Sequence, residues 1–206
     1  MVLPVLVEFP DYRKAAMSTR PGALQNQRPG VALLLATFIT GASMMAYFAF
    51  LERLGVRLEL PIERIGDIFT AVVIFGALGA GIAGALERRI GLRIPLIGGI
   101  LLHLAAILMV IHVEALPAYI AGALLESITL VFLLTFLLTV AAVLDPLGRW
   151  AAATGGAFSL SLGAGPYLGG ILIETAGFKA VSMLNVVSAI VCAILLWVTT
   201  RVQAEQ

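Results

Sequence analysis

The chain has 206 residues, of which 61% are hydrophobic and 12% are charged, and its mean hydropathy is +1.06. Soluble domains are about 45–50% apolar and about 25% charged, so this composition excludes that class. It also excludes a disordered chain, because disordered chains are poor in apolar residues. The net charge of +1 gives no field for binding nucleic acid, and the single cysteine, Cys192, cannot form an intrachain disulfide. The composition therefore predicts a membrane protein.

Six long apolar segments predict six transmembrane helices. In chain order they cover residues 30–51, 68–86, 94–113, 115–144, 150–173 and 180–200. All are free of charged residues except the fourth, which contains Glu126. Each has about the 20 residues that a helix needs to cross a bilayer, and continuous runs of this length favour helices over barrel strands. Short linkers make consecutive helices antiparallel, so the sequence predicts an all-α, up-down bundle.

The basic residues predict the orientation of these spans. Nine of the 13 Lys and Arg residues fall on the side of the two termini and four on the other. Because basic loops remain in the cytoplasm, we expect a multi-pass protein of the cell membrane with both termini cytoplasmic. The predicted organisation is a cytoplasmic segment over residues 1–29, a six-helix domain over 30–200 and a short cytoplasmic tail over 201–206. Residues 1–7 are too short to span, and the alternative interpretation makes them the end of an earlier membrane helix.

The linker between the second and third spans carries a recognisable motif. Residues 84–93 read Gly-Ala-Leu-Glu-Arg-Arg-Ile-Gly-Leu-Arg. This stretch is similar to the cytoplasmic loop motif G-x-L-A-D-R-x-G-R-R, with matches at Gly84, Arg89, Gly91 and Arg93. Arg88 stands at the acidic position of the motif.

The fifth span carries a second motif. After residues 145–149, which read Asp-Pro-Leu-Gly-Arg, the pattern G-P-x-x-G-G is formed by Gly165, Pro166, Gly169 and Gly170. With residues 50–55 and Ile65-Gly66, these features resemble one six-helix half of a major facilitator superfamily transporter over residues 30–200. The C-terminal half fits better, and the N-terminal half is the alternative. The resemblance implies that the bundle pairs with a second copy or with a partner half.

The resemblance also implies a role for each helix. The first and fourth spans would line the transport cavity, the second and fifth would meet the other half, and the third and sixth would lie outside. The glycines of the two motifs would then take part in gating or in close helix packing.

Glu126 is the most informative residue, because it lies near the middle of the fourth span. A charged group at that depth costs about 2.5–3.5 kcal/mol on insertion scales, so such residues usually face a cavity or a partner. A carboxyl that changes protonation as a cavity opens is what proton coupling requires. The alternative is a Glu that only bonds a neighbouring helix.

Polar side chains on the lining helices complete the predicted solute and proton pathway. Tyr119 and Thr129 share a helix face with Glu126, and Thr37, Thr40 and Tyr47 share a face of the first span. Such a combination of hydroxyls and rings suits an amphipathic organic solute. His103 of the third span lies at a similar depth to Glu126 and is a candidate proton partner, whereas the alternative is a hydrogen-bonded interhelical histidine. No metal site and no cofactor are expected.

The leading hypothesis is therefore a secondary transporter that moves a small organic solute by alternating access, with protons as the candidate coupling ion. Its expected partners are the lipid bilayer, the solute and a second six-helix half. A non-transporting scaffold or subunit is the alternative. An intramembrane enzyme is disfavoured, because a serine nucleophile would need a histidine base at matching depth and the sixth span contains none.

Overall fold

The computed structural model describes residues 27–145 and 147–204, which form seven helices. In chain order these are α1 (Gln27–Phe48), α2 (Leu51–Arg57), α3 (Ile62–Ile90), α4 (Arg93–His112), α5 (Leu116–Leu144), α6 (Arg149–Ala176) and α7 (Phe178–Ala204). With α1 and α2 taken together, six segments of the described chain are long and apolar enough to cross a membrane. The prediction of six helical spans is confirmed.

The predicted terminal segments fall mostly outside the described residues. Of the segment 1–29, only residues 27–29 are described, and α1 begins with them. The interpretation of residues 1–7 as the end of an earlier helix lies outside the described residues, as do the last two residues of the predicted tail.

The helices extend beyond the charge-free runs because backbone hydrogen bonding continues where hydropathy stops. α3 reaches six residues further at its start than the predicted 68–86 and includes Glu63. It ends at Gly91, whose φ of 71° is a left-handed conformation that favours glycine. Gly148 is the N-cap of α6 and also has a left-handed conformation, with φ of 76°. Pro117 lies in the first turn of α5, where its missing N–H costs nothing.

The first span is broken near its C-terminal end. α1 stops at Phe48 and α2 starts at Leu51, although no proline or glycine interrupts this stretch. The phenol of Tyr119, on α5, donates a 3.1 Å hydrogen bond to the carbonyl oxygen of Leu51. The break is therefore held by a side chain from the fourth span.

The six spans pack around α1 and α5. α1 packs against α6 on one side and α7 on the other, while α5 packs against α3 and α4. Contacts between α4 and α7, and between α1 and α5, close the bundle. α3 and α6 are the least buried spans. Both expose large apolar side chains, such as Val73 and Ile74 on α3 and Leu160 on α6.

The interior contains two hydrophobic clusters that follow one another along the helices. The first cluster includes Phe132 and Phe136 of α5, whose rings lie 4.8 Å apart, together with Leu33 of α1. The second cluster includes Tyr47, Tyr119 and Ile107. The buried polar side chains of α4, α5 and α7 fall between the two clusters along each helix. This polar layer, which positions the candidate site, consists of His103 on α4, Glu126, Ser127 and Thr129 on α5, and Ser182, Asn185 and Ser188 on α7.

Candidate functional site

Glu126 lies in the polar layer and is fully buried, with 0% of its surface exposed. Among the described residues, neither of its carboxylate oxygens has a hydrogen-bond partner. Buried polar groups are nearly always satisfied, so an orphan carboxyl requires an explanation. It marks the centre of the candidate site.

Tyr47 reaches the same region from α1. Its ring is 1% exposed, it interacts electrostatically with Glu126, and its hydroxyl has no hydrogen-bond partner among the described residues. Tyr47 on α1 and Glu126 on α5 are therefore two buried polar groups that no described residue satisfies.

His103 of α4 lies on the other side of Thr129. The Thr129 hydroxyl donates a 2.9 Å hydrogen bond to the carbonyl oxygen of Glu126, and its oxygen lies 3.4 Å from Nδ1 of His103. Thr129 thus connects the carboxyl-bearing turn of α5 with the imidazole of α4. His103 is 6% exposed and faces the bundle interior.

Asn185 of α7 completes this side of the layer. Its Nδ2 donates a 2.9 Å hydrogen bond to the carbonyl of Val181, one turn earlier. Asn185 and His103 border the same small cavity, but Oδ1 of Asn185 and Nε2 of His103 are both without a hydrogen-bond partner among the described residues. Asn185 was not among the predicted site residues, and its place beside His103 follows from the packing of α4 against α7.

The two threonines predicted on the first span both have hydrogen-bond partners. Thr37 donates to the carbonyl of Leu33 at 2.9 Å, within its own helix. Thr40 donates to Sγ of Cys192 on α7, also at 2.9 Å. Both side chains are buried in the bundle, at 0% and 9% exposure. Thr40 therefore joins α1 to α7, whereas Thr37 is satisfied within α1.

Two small cavities border these residues. One has a volume of about 10 Å³ and lies among Thr40, Ser43, His103, Asn185 and Ser188. The other, also of about 10 Å³, lies beside Thr37, Thr40 and Met44. Each is large enough for about one water molecule. An organic solute is far larger than either cavity.

The fifth-span glycines pack against the first span. A Cβ on Gly165 would lie 2.6 Å from the carbonyl oxygen of Ala42, and one on Gly169 would lie 2.9 Å from Cα of Ala46. Pro166 sits between them within α6, and Gly170 faces Phe50. The pattern G-P-x-x-G-G therefore brings the backbones of α1 and α6 into contact.

The loop motif after the second span lies at the C-terminal end of α3. Gly84 faces open space and Arg89 is exposed. Arg88 lies in the last turn of α3, Gly91 makes the turn, and Arg93 starts α4. The motif thus spans the α3–α4 connection and lies away from the polar layer.

The linker before the fifth span carries an ordered ion pair. Nε of Arg149 donates a 2.8 Å hydrogen bond to Oδ2 of Asp145, and the backbone N–H groups of Leu147 and Arg149 donate to the same carboxylate at 3.2 Å. The Arg149 guanidinium, followed by these N–H groups, holds the pKa of Asp145 below its ordinary value. This arrangement fixes the start of α6.

Sequence reasoning missed one buried hydroxyl next to Glu126. Ser127 donates a 2.6 Å hydrogen bond to the carbonyl of Val72 and so joins α5 to α3. Its position next to Glu126, the only charged residue of the fourth span, could have identified it from the sequence. The side chains of Glu126 and Ser127, adjacent along α5, therefore point towards different neighbouring helices.

The comparisons with known proteins identify the family. The model of the Major Facilitator Superfamily matches residues 33–206. The chain belongs to the major facilitator superfamily. Comparison with curated proteins found no match, and comparison with solved structures found none. The resemblance read from the loop motif and the fifth-span glycines is confirmed, and the polar layer is a feature of a major facilitator domain.

Proposed function

We propose that this major facilitator protein is a proton-coupled secondary transporter of a small organic solute, and that Glu126 binds the coupling proton. The observation that carries the proposal is the fully buried carboxyl of Glu126, for which no described residue supplies a hydrogen bond. An ionised group at that depth costs several kcal/mol, so a carboxyl retained there needs a compensating role. Reversible protonation during the transport cycle provides one.

Tyr47, Thr129 and His103 support this role by their positions. They lie on α1, α5 and α4 around Glu126, so any relative movement of those helices changes the surroundings of the carboxyl. Thr129 bonds the backbone carbonyl oxygen of Glu126 at 2.9 Å and lies 3.4 Å from Nδ1 of His103, so it joins the Glu126 turn to the imidazole without bonding the carboxyl. In alternating access, movement of these helices would open the carboxyl to one side of the membrane and then to the other, where it exchanges its proton.

The proposed solute site lies on the surface of this bundle and not in its packed interior. The cavities beside the pathway residues hold about one water each, so the solute needs a larger space. A second six-helix half, either another copy or a partner half, would create that space. The weakly buried spans α3 and α6 are the candidate surfaces for that pairing.

Reconstitution of the whole chain tests the transport proposal. Liposomes containing the protein are assayed with a panel of radiolabelled organic solutes under an inward proton gradient. We expect uptake of at least one solute class that a protonophore abolishes, with protein-free liposomes as the control. A folded protein that moves none of the solutes, with or without the gradient, would favour the non-transporting scaffold.

The proposed orientation in the cell membrane has a separate test. Cys192, the only cysteine of the chain, is buried, so single cysteines can be introduced without removing it. Leu147→Cys marks the α5–α6 linker and Glu114→Cys marks the α4–α5 linker, and both positions are exposed. In intact cells, an impermeant maleimide should label only Glu114→Cys. Labelling of Leu147→Cys alone would show that the protein has the opposite orientation.

A further inference from the structure

Two buried polar atoms without a described partner belong to residues that border one small cavity in the polar layer. The cavity of about 10 Å³ is bordered by His103 of α4 and Asn185 of α7, together with Ser43 of α1 and Ser188 of α7. His103 is 6% exposed and Asn185 is 2% exposed. Nε2 of His103 and Oδ1 of Asn185 each have no hydrogen-bond partner among the described residues. The question is which group satisfies both atoms.

The contacts of Thr129 favour one tautomer of the neutral His103 ring. The Thr129 hydroxyl has a single proton, and its shorter contact is with the carbonyl oxygen of Glu126 at 2.9 Å. With the proton on that bond, Thr129 acts as an acceptor towards Nδ1 of His103, 3.4 Å away. This pattern favours the tautomer with the ring proton on Nδ1 and a lone pair on Nε2.

Asn185 presents a second acceptor to the same space. Its Nδ2 donates to the carbonyl of Val181 at 2.9 Å, which fixes the amide with Oδ1 as the unsatisfied atom. A lone pair on Nε2 and a carbonyl oxygen cannot hydrogen-bond to each other. They need a donor of two protons between them, and a water molecule is the smallest such donor.

We propose that this cavity binds one ordered water molecule, which donates one hydrogen bond to Nε2 of His103 and the other to Oδ1 of Asn185. The volume matches a single water, and in a largely apolar lining the two unpartnered atoms of His103 and Asn185 would supply its hydrogen-bond acceptors. The water joins the third and sixth spans where their side chains approach without bonding directly. This inference is independent of proton coupling and stands whether or not Glu126 exchanges a proton.

Histidine-selective ¹⁵N NMR on the whole protein in lipid tests the proposal. The chain contains two histidines, so a His112→Gln variant assigns the remaining signals to His103. We expect Nε2 of His103 to be unprotonated and to receive magnetisation from water. The exposed ring of His112 serves as the positive control for water transfer in the unmodified protein. A protonated Nε2, or an Nε2 without water transfer, would overturn the proposal.

Substitutions on α7 provide an independent readout. Asn185→Leu fills the cavity and removes the acceptor, so water transfer to Nε2 should be lost. Val187→Leu, at an exposed position of the same helix, should leave the transfer unchanged. Ser188→Ala retains both acceptors and should keep the signal. Undiminished transfer in a folded Asn185→Leu protein would contradict the assignment, and the measurement on the unsubstituted chain decides the question if that variant does not fold.

Discussion

The hydroxyl of Tyr119 donates a hydrogen bond of 3.1 Å to the carbonyl oxygen of Leu51, at the break between α1 and α2. Tyr119 is fully buried, and it shares the second hydrophobic cluster with Leu51. The bond connects the fourth span to the point where the first span changes direction. It is therefore a direct link between the two spans that carry Glu126 and Tyr47.

Replacing this phenol should weaken the end of the bundle at which the first span breaks. Tyr119→Phe removes the donor while keeping the ring, and one hydrogen bond contributes about 1 kcal/mol to stability. We expect a lower unfolding temperature in detergent. Tyr167→Phe is the matched control, because Tyr167 is 71% exposed on α6 and its hydroxyl should add little. Equal stability of the two variants would show that the bond does not stabilise the break.

The contact between α1 and α6 depends on Gly169. A Cβ at this position would lie 2.9 Å from Cα of Ala46, and the backbone of α1 cannot move aside as a flexible side chain can. We expect Gly169→Ala to destabilise the protein by about 1–3 kcal/mol, the usual cost of overpacking. Unfolding in denaturant measures the difference.

Gly163 provides the matched control on the same helix. A Cβ there would meet nothing within 4 Å, so Gly163→Ala should be neutral or slightly stabilising, since alanine favours helix. If both alanine variants lost the same stability, the close approach of α1 and α6 would not be the cause.

The ion pair of Asp145 and Arg149 predicts a pH-dependent contribution to stability. Because Arg149 lowers the pKa of Asp145 in the folded protein, the pair stabilises the fold above the unfolded-state pKa. That stability is lost as the pH falls through the lower folded-state value. Asp145→Asn should therefore unfold at a lower temperature than the unsubstituted protein near pH 7, and the difference should shrink below about pH 4.

A second ion pair supplies the control for that experiment. Nη2 of Arg57 lies 3.6 Å from Oε1 of Glu114, and the two side chains are 54% and 77% exposed. Exposed pairs contribute about 0–1 kcal/mol, so Glu114→Gln should change the unfolding temperature little at any pH. A pH-independent effect of Asp145→Asn would mean that capping of α6, and not the charge, carries its contribution.

Much of the fold follows directly from hydropathy. Residues 94–113 and 115–144 were predicted as spans, and the corresponding helices are Arg93–His112 and Leu116–Leu144. The agreement is close because Pro117 and the short linker around Glu114 mark the ends. The charge-free run predicted for α3 is shorter than the helix, because the charged residues at its ends are helical too. Hydropathy indicates the apolar part of a helix and not its hydrogen bonding.

The break after Phe48 was not predictable from the sequence. Neither proline nor glycine marks it, and the bond that holds it comes from Tyr119, 68 residues away from Leu51 in the chain. Helical periodicity placed Glu126, Thr129 and Tyr119 on one face, and all three are buried. Periodicity along a single helix cannot specify which neighbour a face meets, so the approach of Asn185 to His103 required the tertiary structure.

The central claim is that Glu126 couples solute movement to protons, and Glu126→Gln tests it most directly. Glutamine keeps the shape of the protonated acid but cannot release a proton. In liposomes containing the substituted protein, we therefore predict that solute exchange across the membrane persists while accumulation driven by a proton gradient is lost. Glu174→Gln, at an exposed carboxyl of α6, should retain both activities. Full gradient-driven accumulation by Glu126→Gln would contradict the claim.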